Sequence, residues 1–170
     1  MERAPLARAG ARVRRRAAAP GLRFAACLAL LAAAYVACID EVAGLFVDDG
    51  WYVVLARSLA SGQGFTLSNA PVPGILPFYP PGFPALLALV FAVAPSFPGN
   101  VWLLKGVSVA ALLAGAVLLR HYFLRCRATA PFVASGLALL AVAHPLMHFL
   151  TTSAVMSEAL FVCVQAAALV

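Results

Sequence analysis

Residues 101–119 read VWLLKGVSVAALLAGAVLL, and this apolar run decides the fold class of the chain. A helix needs about 20 apolar residues to cross the hydrocarbon core of a bilayer, and the run approaches this length. Its one charge, Lys105, lies near the start, where a lysine side chain is able to extend to the lipid headgroups. The run therefore predicts a membrane-spanning helix.

The composition of the whole chain agrees with this prediction. Of its 170 residues, 64% are hydrophobic and 11% are charged. Soluble domains contain about 45–50% apolar and about 25% charged residues, and a domain of this size buries only about 70% of its unfolded surface. The surplus apolar side chains would face water in a soluble fold. We therefore predict an all-α fold, namely a polytopic transmembrane helical bundle.

The remaining sequence divides around the membrane segments. Residues 1–23 form a basic arm that we expect to be disordered. Residues 24–39 are predicted to form a first, uncleaved transmembrane helix, with a cleaved signal peptide as the alternative. Residues 40–100 are polar or interrupted by prolines, and we expect an external loop with interfacial helices. Residues 101–170 hold further transmembrane helices, of which the last is interrupted by the end of the sequence.

Two helices are expected inside the external loop. The stretch WYVVLARSLA at 51–60 has helical periodicity, and Gly62 and Gly64 are expected to end it. Residues 78–84 (FYPPGFP) contain three prolines and are predicted to be irregular. The apolar stretch 85–94 is too short to cross a bilayer, so we expect an interfacial or re-entrant helix.

The arginines predict the orientation of the chain. The net charge is +6, and seven arginines precede the first apolar run. A basic arm beside a membrane segment is typical of the cytoplasmic side and contacts anionic lipid, whereas no recognition motif indicates nucleic-acid binding. If 85–94 does not cross, a basic loop at 120–127 is also cytoplasmic, 131–149 spans outward and 40–77 is external. We expect this arrangement in a bacterial plasma membrane.

The predicted topology gathers polar side chains at the external face. Asp48 and Asp49 lie at a helix start, where carboxylates suit the helix dipole and need no further role. Glu158 lies at the end of a predicted membrane helix, which indicates either a functional carboxylate or a water-exposed helix end. His144 and His148 have the spacing of a two-histidine metal site, but no third ligand is fixed, and structural histidines are commoner.

Five stretches with these residues resemble a known family. They are DDGWY (48–52), ARSL (56–59), GQGF (62–65), YPPGFP (79–84) and MSEAL (156–160). In this order they resemble the start of the C-type (GT-C) polytopic lipid-linked-sugar glycosyltransferases. The most similar members are the protein O-mannosyltransferases, the aminoarabinose transferases and the RgtA/B/C/D-like branch. The resemblance runs from about residue 40 to the end of the sequence.

The resemblance implies an inverting membrane enzyme. A sugar would pass from a polyprenyl-phosphate donor to a glycan, lipid or protein acceptor on the external face. The first carboxylate of the acidic pair, Asp48, is implied as the general base that removes the proton of the acceptor hydroxyl. The other residues carried over are Asp49 and Glu158, which shape the pocket, and the substrate-binding residues Tyr52, Arg57 and Tyr79.

No metal or other cofactor is predicted. Relatives that bind a divalent metal beside the lipid phosphate can carry a glutamate just before the paired prolines, where this sequence has Phe78 and Tyr79. Chains of the family have several times more spans, so we expect an amino-terminal fragment that is inactive alone. The alternative function is a non-catalytic polytopic membrane subunit or a transporter fragment, although the sequence has no internal repeat typical of transporters.

Overall fold

The structure is a computed structural model that describes residues 4–69, 71, 78–125 and 129–170, with the backbone alone for residues 4–19. Its regular elements in these ranges are all helices. They are α1 (Ala4–Ala37), α2 (Val47–Ala60), α3 (Gly82–Val93), α4 (Val101–Arg125), α5 (Pro131–Val142), α6 (Pro145–Thr152) and α7 (Glu158–Ala168). The prediction of an all-α chain is therefore confirmed for the described residues.

Two of the described helices are long and apolar enough to cross a membrane, Pro20–Ala37 within α1 and Val101–Arg125, which is α4. The pair α5 and α6 passes the same test only when both helices are counted as one bent span. α3 and α7 are apolar but shorter. The chain thus has the helices of a membrane protein, with two or three candidate spans among the residues that the structure describes.

The first helix corrects the prediction for the basic arm. Residues 4–23 are not disordered but continue α1 without a break into the apolar segment. Alanine and arginine dominate this stretch, and both are strong helix formers. Pro20 lies inside the helix, where it removes one backbone hydrogen bond without ending the helix.

The predicted span 131–149 is interrupted. α5 and α6 meet at an angle of 51° across Ala143 and His144. His144 has an extended backbone (φ −63°, ψ 133°) because it precedes Pro145, and a residue before proline is disfavoured in the helical region. The predicted span 131–149 is therefore present only as a bent pair of helices, and the bend lies at Pro145.

Polar groups exposed by this break find other partners. In a continuous helix Leu146 N–H would bind the carbonyl of Val142, but it donates to Nδ1 of His144 at 3.2 Å instead. The Val142 carbonyl accepts a hydrogen bond from the Tyr35 hydroxyl of α1. Tyr35 is fully buried, so a side chain from a neighbouring helix satisfies the carbonyl that the break between α5 and α6 leaves without a helical partner.

The helix boundaries around the loops also differ from prediction. α4 extends to Arg125, so residues 120–125 are helix rather than a basic loop, and residues 126–128 lie outside the described residues. α3 begins at Gly82, inside the segment predicted as irregular, because proline is tolerated in the first turn of a helix. The helix predicted at 51–60 is confirmed and starts earlier, at Val47.

α1 and α4 run antiparallel. Near the start of α1 the Phe24 ring lies 4.9 Å from the guanidinium carbon of Arg120 on α4. Beyond the other end of α1, Lys105 Nζ donates to the Asp40 carbonyl at 2.8 Å. We call these two ends of the bundle the Arg120 end and the Asp40 end. The chain leaves α1 and enters α4 at the Asp40 end.

α3 is short for a membrane span, and the statement that 85–94 does not cross stays a prediction. The 12 residues of α3 span about 18 Å at 1.5 Å per residue, against about 30 Å of hydrocarbon. α5 starts at the Arg120 end, where Ser135 accepts from Arg120 Nε at 3.0 Å. α6 finishes at the Asp40 end, where the Thr152 carbonyl accepts from Asp40 N–H at 3.2 Å.

α7 packs closely along α4 in the same direction. At the Asp40 end Ser108 Oγ donates to the Met156 carbonyl at 3.2 Å. Farther along, a Cβ atom built on Gly115 would lie 3.4 Å from Cys163 Cα. The absence of a side chain at Gly115 thus allows two helix backbones to approach, as small residues do in membrane helix pairs.

Two apolar clusters hold the described helices together. The first packs α2 and α3 on the start of α4 and includes Tyr52, Phe83, Leu87, Leu104 and Val155. The second joins α1, α4 and α5 and includes Phe24, Tyr35, Leu112, Ala138 and Val142. The first cluster fixes α2 and α3 to the Asp40 end of the bundle and so determines where their polar side chains lie.

Candidate functional site

Asp48 and Tyr79 form the open part of the candidate site. Asp48 lies in the first turn of α2, and Tyr79 lies just before α3. The Tyr79 hydroxyl donates to Asp48 Oδ1 at 2.7 Å, although the two residues are 31 positions apart. The Asp48 side chain is exposed. The structure therefore brings together two of the predicted site residues and leaves the carboxylate accessible.

Tyr52 connects this pair to α7. Its ring packs edge-on against Tyr79, with centroids 5.4 Å apart, and against Phe83 at 5.1 Å. Its hydroxyl lies 3.1 Å from Ser157 Oγ. Tyr52 is buried, so its ring works as a spacer between the Tyr79–Asp48 pair and the start of α7.

Glu158 follows Ser157 directly and is the first residue of α7. Its Oε2 atom is buried and has no hydrogen-bond partner in the part of the chain that the structure describes. A buried carboxylate oxygen without a partner is destabilising, and such atoms are rare in folded proteins. Glu158 is thus a predicted site residue with one carboxylate oxygen that accepts no hydrogen bond from the described residues.

Asp49 has a different environment from its neighbour Asp48. It is fully buried and accepts hydrogen bonds from the backbone N–H groups of Gly44, Leu45 and Phe46 at 3.0–3.1 Å. Successive residues of a helix point about 100° apart, which turns Asp49 inward when Asp48 faces outward. Asp49 fixes the turn that precedes α2 and lies away from the open side of the site.

Arg57 is not close to Asp48. It comes nine residues later on α2, which is about 13 Å along the axis and on the opposite side at 3.6 residues per turn. Its side chain is exposed and borders a separate cavity of about 210 Å³ with Phe91 and Pro95. The structure therefore does not bring this predicted substrate-binding residue to the Asp48–Tyr79 pair.

The hydrogen bond to Asp48 changes the acidity of Tyr79. It is the main reason that the pKa of the Tyr79 phenol is raised to about 12, and weaker contributions come from desolvation and from the Asp48 charge. Tyr79 therefore keeps its proton at neutral pH and remains a donor. The bond orients Asp48 and occupies Oδ1, whereas Oδ2 accepts no hydrogen bond from the described residues.

Lys105 and Asp40 form an ion pair that the sequence did not reveal. The Lys105 side chain has 0% exposure and contacts Asp40, whose side chain is 40% exposed. The expectation that Lys105 extends to the headgroups is therefore wrong, because a closer partner lies at the end of α1. The signal available in the sequence was an acidic residue directly after one span and a lysine near the start of the next.

The environment of Asp40 favours its ionised form. Desolvation is the largest single influence and raises the pKa of Asp40. Hydrogen bonds from Lys105, from Ser153 and from a backbone N–H, with the charge of Lys105, together lower the pKa below its ordinary value. The carboxylate at this end of the bundle is thus charged at neutral pH and paired.

The two histidines have separate structural roles. His144 caps α6 by accepting from Leu146 N–H, and its side chain is exposed. The His148 ring lies 4.9 Å from the Tyr35 ring. Among the described residues no group of three or more His, Cys, Asp and Glu side chains is arranged to hold a metal ion.

Comparison with known proteins gives no relative for this chain. No protein-family model matches it, and no curated protein and no solved structure is significantly similar to it. What the site does must therefore be inferred from the chemistry and arrangement of its own residues.

Proposed function

We propose that this chain belongs to a membrane glycosyltransferase that transfers a sugar from a polyprenyl-phosphate donor to an acceptor hydroxyl at the external membrane face. The observation that carries the proposal is the hydrogen bond from Tyr79 to the exposed Asp48. It orients one carboxylate at the end of a bundle that has helices long enough to span a membrane. A positioned and accessible carboxylate is what a general base requires.

Asp48 acts on the acceptor in this proposal. Its free Oδ2 takes the proton of the acceptor hydroxyl while that oxygen attacks the anomeric carbon of the sugar. The bond between the anomeric carbon and the phosphate oxygen breaks on the opposite side, and the polyprenyl phosphate leaves as an anion without needing a proton. One direct displacement inverts the anomeric configuration. Tyr79 holds Asp48 in place and does not exchange its own proton.

An apolar cavity beside the site suits the donor's lipid chain. A cavity of about 500 Å³ lies between α3, α4 and α7 and is lined by apolar side chains, among them Val90, Val107 and Leu160. These residues also belong to, or pack against, the cluster around Tyr52. The cavity is open to the side of the bundle, where a polyprenyl chain would enter from the bilayer. This proposal assigns no phosphate contact to Arg57, because that residue lies on the opposite side of α2.

Glu158 is assigned to acceptor binding. Its unpartnered Oε2 lies at the start of α7, next to the residue that contacts Tyr52. A hydroxyl of a sugar or another polar acceptor would supply the missing hydrogen bond. Asp49, by contrast, is assigned no contact with a substrate and supports the site by fixing the turn before α2.

The test compares the two neighbouring aspartates in the protein expressed from its natural locus. Membranes are supplied with radiolabelled polyprenyl-phosphate sugars, and the label transferred to acceptors is normalised to the amount of the protein in the membranes. Asp48→Asn should lower the rate by about a hundred- to ten-thousandfold, the usual effect of losing a general base, with normal membrane insertion. Asp49→Asn should lower the amount of folded protein more than the rate per molecule.

The result that contradicts the proposal is wild-type transfer by Asp48→Asn at equal protein level. In that case the Tyr79–Asp48 and Tyr52–Ser157 contacts would serve to fix α2 and α3 on α7, as in a non-catalytic membrane subunit. Glu158→Gln should raise the KM for the acceptor more than it lowers kcat, because that residue is assigned to binding.

A further inference from the structure

A groove at the Arg120 end of the bundle has no part in the proposed reaction. It lies between α1 and α5 and has a volume of about 280 Å³. Its lining includes Arg23, Phe24, Phe132, Ser135, Gly136 and Leu139. The groove is therefore apolar along most of its surface, with a cation from α1 at its edge.

A second cation lies beside the same groove. The Arg120 guanidinium covers the Phe24 ring at 4.9 Å, and its Nε donates to Ser135 Oγ at 3.0 Å. Both Phe24 and Ser135 line the groove. These contacts fix the Arg120 head group at the groove instead of leaving it free in solvent.

The described part of the chain offers these arginines no counter-ion. Its side-chain carboxylates, Asp40, Glu41, Asp48, Asp49 and Glu158, all lie at the Asp40 end, and the one ion pair among described residues joins Lys105 to Asp40. Two guanidinium groups at a membrane interface without an internal anion attract an external anion. Arginine binds phosphate well because its planar fork donates two parallel hydrogen bonds.

We propose that this groove binds one anionic phospholipid, with its phosphate between Arg23 and Arg120 and one acyl chain along Phe24, Phe132 and Leu139. The charge of the rim selects the anionic head group, and the apolar floor distinguishes a lipid from a free phosphate ion. The Phe132 side chain is 76% exposed, so the groove is reached sideways from the bilayer. The bound lipid joins α1 to α5 at the end opposite the Asp48 site.

The test uses the full chain purified in a neutral detergent and titrated with phosphatidylglycerol or phosphatidylcholine, with the number of bound lipids read by native mass spectrometry. The wild-type protein should bind one phosphatidylglycerol at least tenfold more tightly than phosphatidylcholine. Arg23→Gln should reduce this preference severalfold, and Arg23→Gln with Arg120→Gln should abolish it. Arg57→Gln, at the opposite end, removes the same charge and should leave the preference unchanged.

A second variant tests the groove itself. A Cβ atom on Gly136 would meet no atom within 4 Å, so Gly136→Leu fits on α5 and fills the groove while both arginines remain. It should lower phosphatidylglycerol affinity about as much as the double arginine variant. Helix content measured by circular dichroism verifies the fold of each variant. If the variant with Arg120→Gln does not fold, the lipid preference of Arg23→Gln alone tests the proposal, because Arg23 is exposed and its substitution should not disturb the fold.

Three outcomes overturn the proposal. The first is a phosphatidylglycerol preference that survives both arginine substitutions, which would assign it to the other arginines of the basic arm. The second is unchanged affinity in Gly136→Leu. The third is complete displacement of the lipid by millimolar glycerol phosphate, which would make the rim a site for soluble anions. None of these results depends on sugar transfer, so the lipid site and the proposed enzyme succeed or fail separately.

Discussion

Removal of the Asp40 carboxylate should destabilise the whole bundle, because Lys105 has no route to water. In the Asp40→Asn variant the Lys105 ammonium, with 0% exposure, keeps the Asp40 backbone carbonyl at 2.8 Å but loses its counter-ion. Breaking a fully buried pair costs about 3–5 kcal/mol, and exposed pairs contribute about 0–1 kcal/mol. Asp40 is 40% exposed, so solvent screens part of the pair, and we expect a loss of about 2–3 kcal/mol.

The reverse substitution should be milder. In Lys105→Met the Asp40 carboxylate loses its cation, but water reaches it and replaces part of the interaction. The double variant Asp40→Asn, Lys105→Met should recover most of the stability lost in Asp40→Asn, because an apolar side chain replaces the buried charge. The measurement is unfolding of the purified chain by titration from a mild detergent into sodium dodecyl sulfate, followed by helix content. Equal midpoints for the wild type and Asp40→Asn would refute the reasoning.

The pair also predicts a dependence on pH. The pKa of Asp40 is lowered in the folded chain from its ordinary value of 3.8. The stabilisation is therefore complete above pH 3.8 and is lost as the pH falls through the lower folded value. Wild type and Asp40→Asn should converge in stability below that point and differ by a constant amount from pH 5 to 7. A difference that disappears within the neutral range would show that another group carries the effect.

Three further predictions concern packing, topology and the site. Gly115→Leu should lower the free energy of unfolding by about 1–3 kcal/mol, because it overpacks α4 against α7. The control Gly106→Leu has open space at its Cβ position and should not lower it, and the detergent titration compares the two variants. In a cysteine-free background, an impermeant thiol reagent added to intact cells should label a cysteine at Asn69 and not one at Arg125, and the opposite pattern would reverse the orientation. Tyr79→Phe should lower sugar transfer by a smaller factor than loss of the general base, since only its orienting hydrogen bond is removed; an unchanged rate would contradict that role.

The two helices that are long and apolar enough to span a membrane were predictable because each depends on local composition. The run 101–119 is apolar enough to identify α4 whatever it packs against. The partner of Lys105 was not predictable in the same way, because Asp40 lies 65 residues earlier and only the antiparallel packing of α1 on α4 brings the two together. The local sequence does not reveal whether the Lys105 ammonium reaches the lipid headgroups or pairs with an acidic residue. That outcome depends on the tertiary structure.

The candidate site shows the same division between local and non-local information. The sequence motifs treat Asp48 and Asp49 as one acidic pair, but the two side chains have different environments. Asp49 is buried and accepts three backbone hydrogen bonds, whereas Asp48 is exposed. The link from Tyr79 through Tyr52 to Ser157 depends on the packing of α2 and α3 on α7, which no local pattern contains. Arg57 was assigned to the site through the family resemblance, but its position nine residues after Asp48 places it on the opposite side of α2.

The three hydrogen bonds of Asp49 have a consequence for the entropy of the site. They order residues 44–46 and the start of α2 when the chain folds, before any ligand is present. The backbone that carries Asp48 is therefore ordered by the fold, and in the proposed reaction binding of an acceptor would not have to offset the entropic cost of ordering it. A substitution that leaves Asp48 intact but loosens Asp49 would transfer that cost to every binding event, so affinity would fall although each contacting side chain was still present.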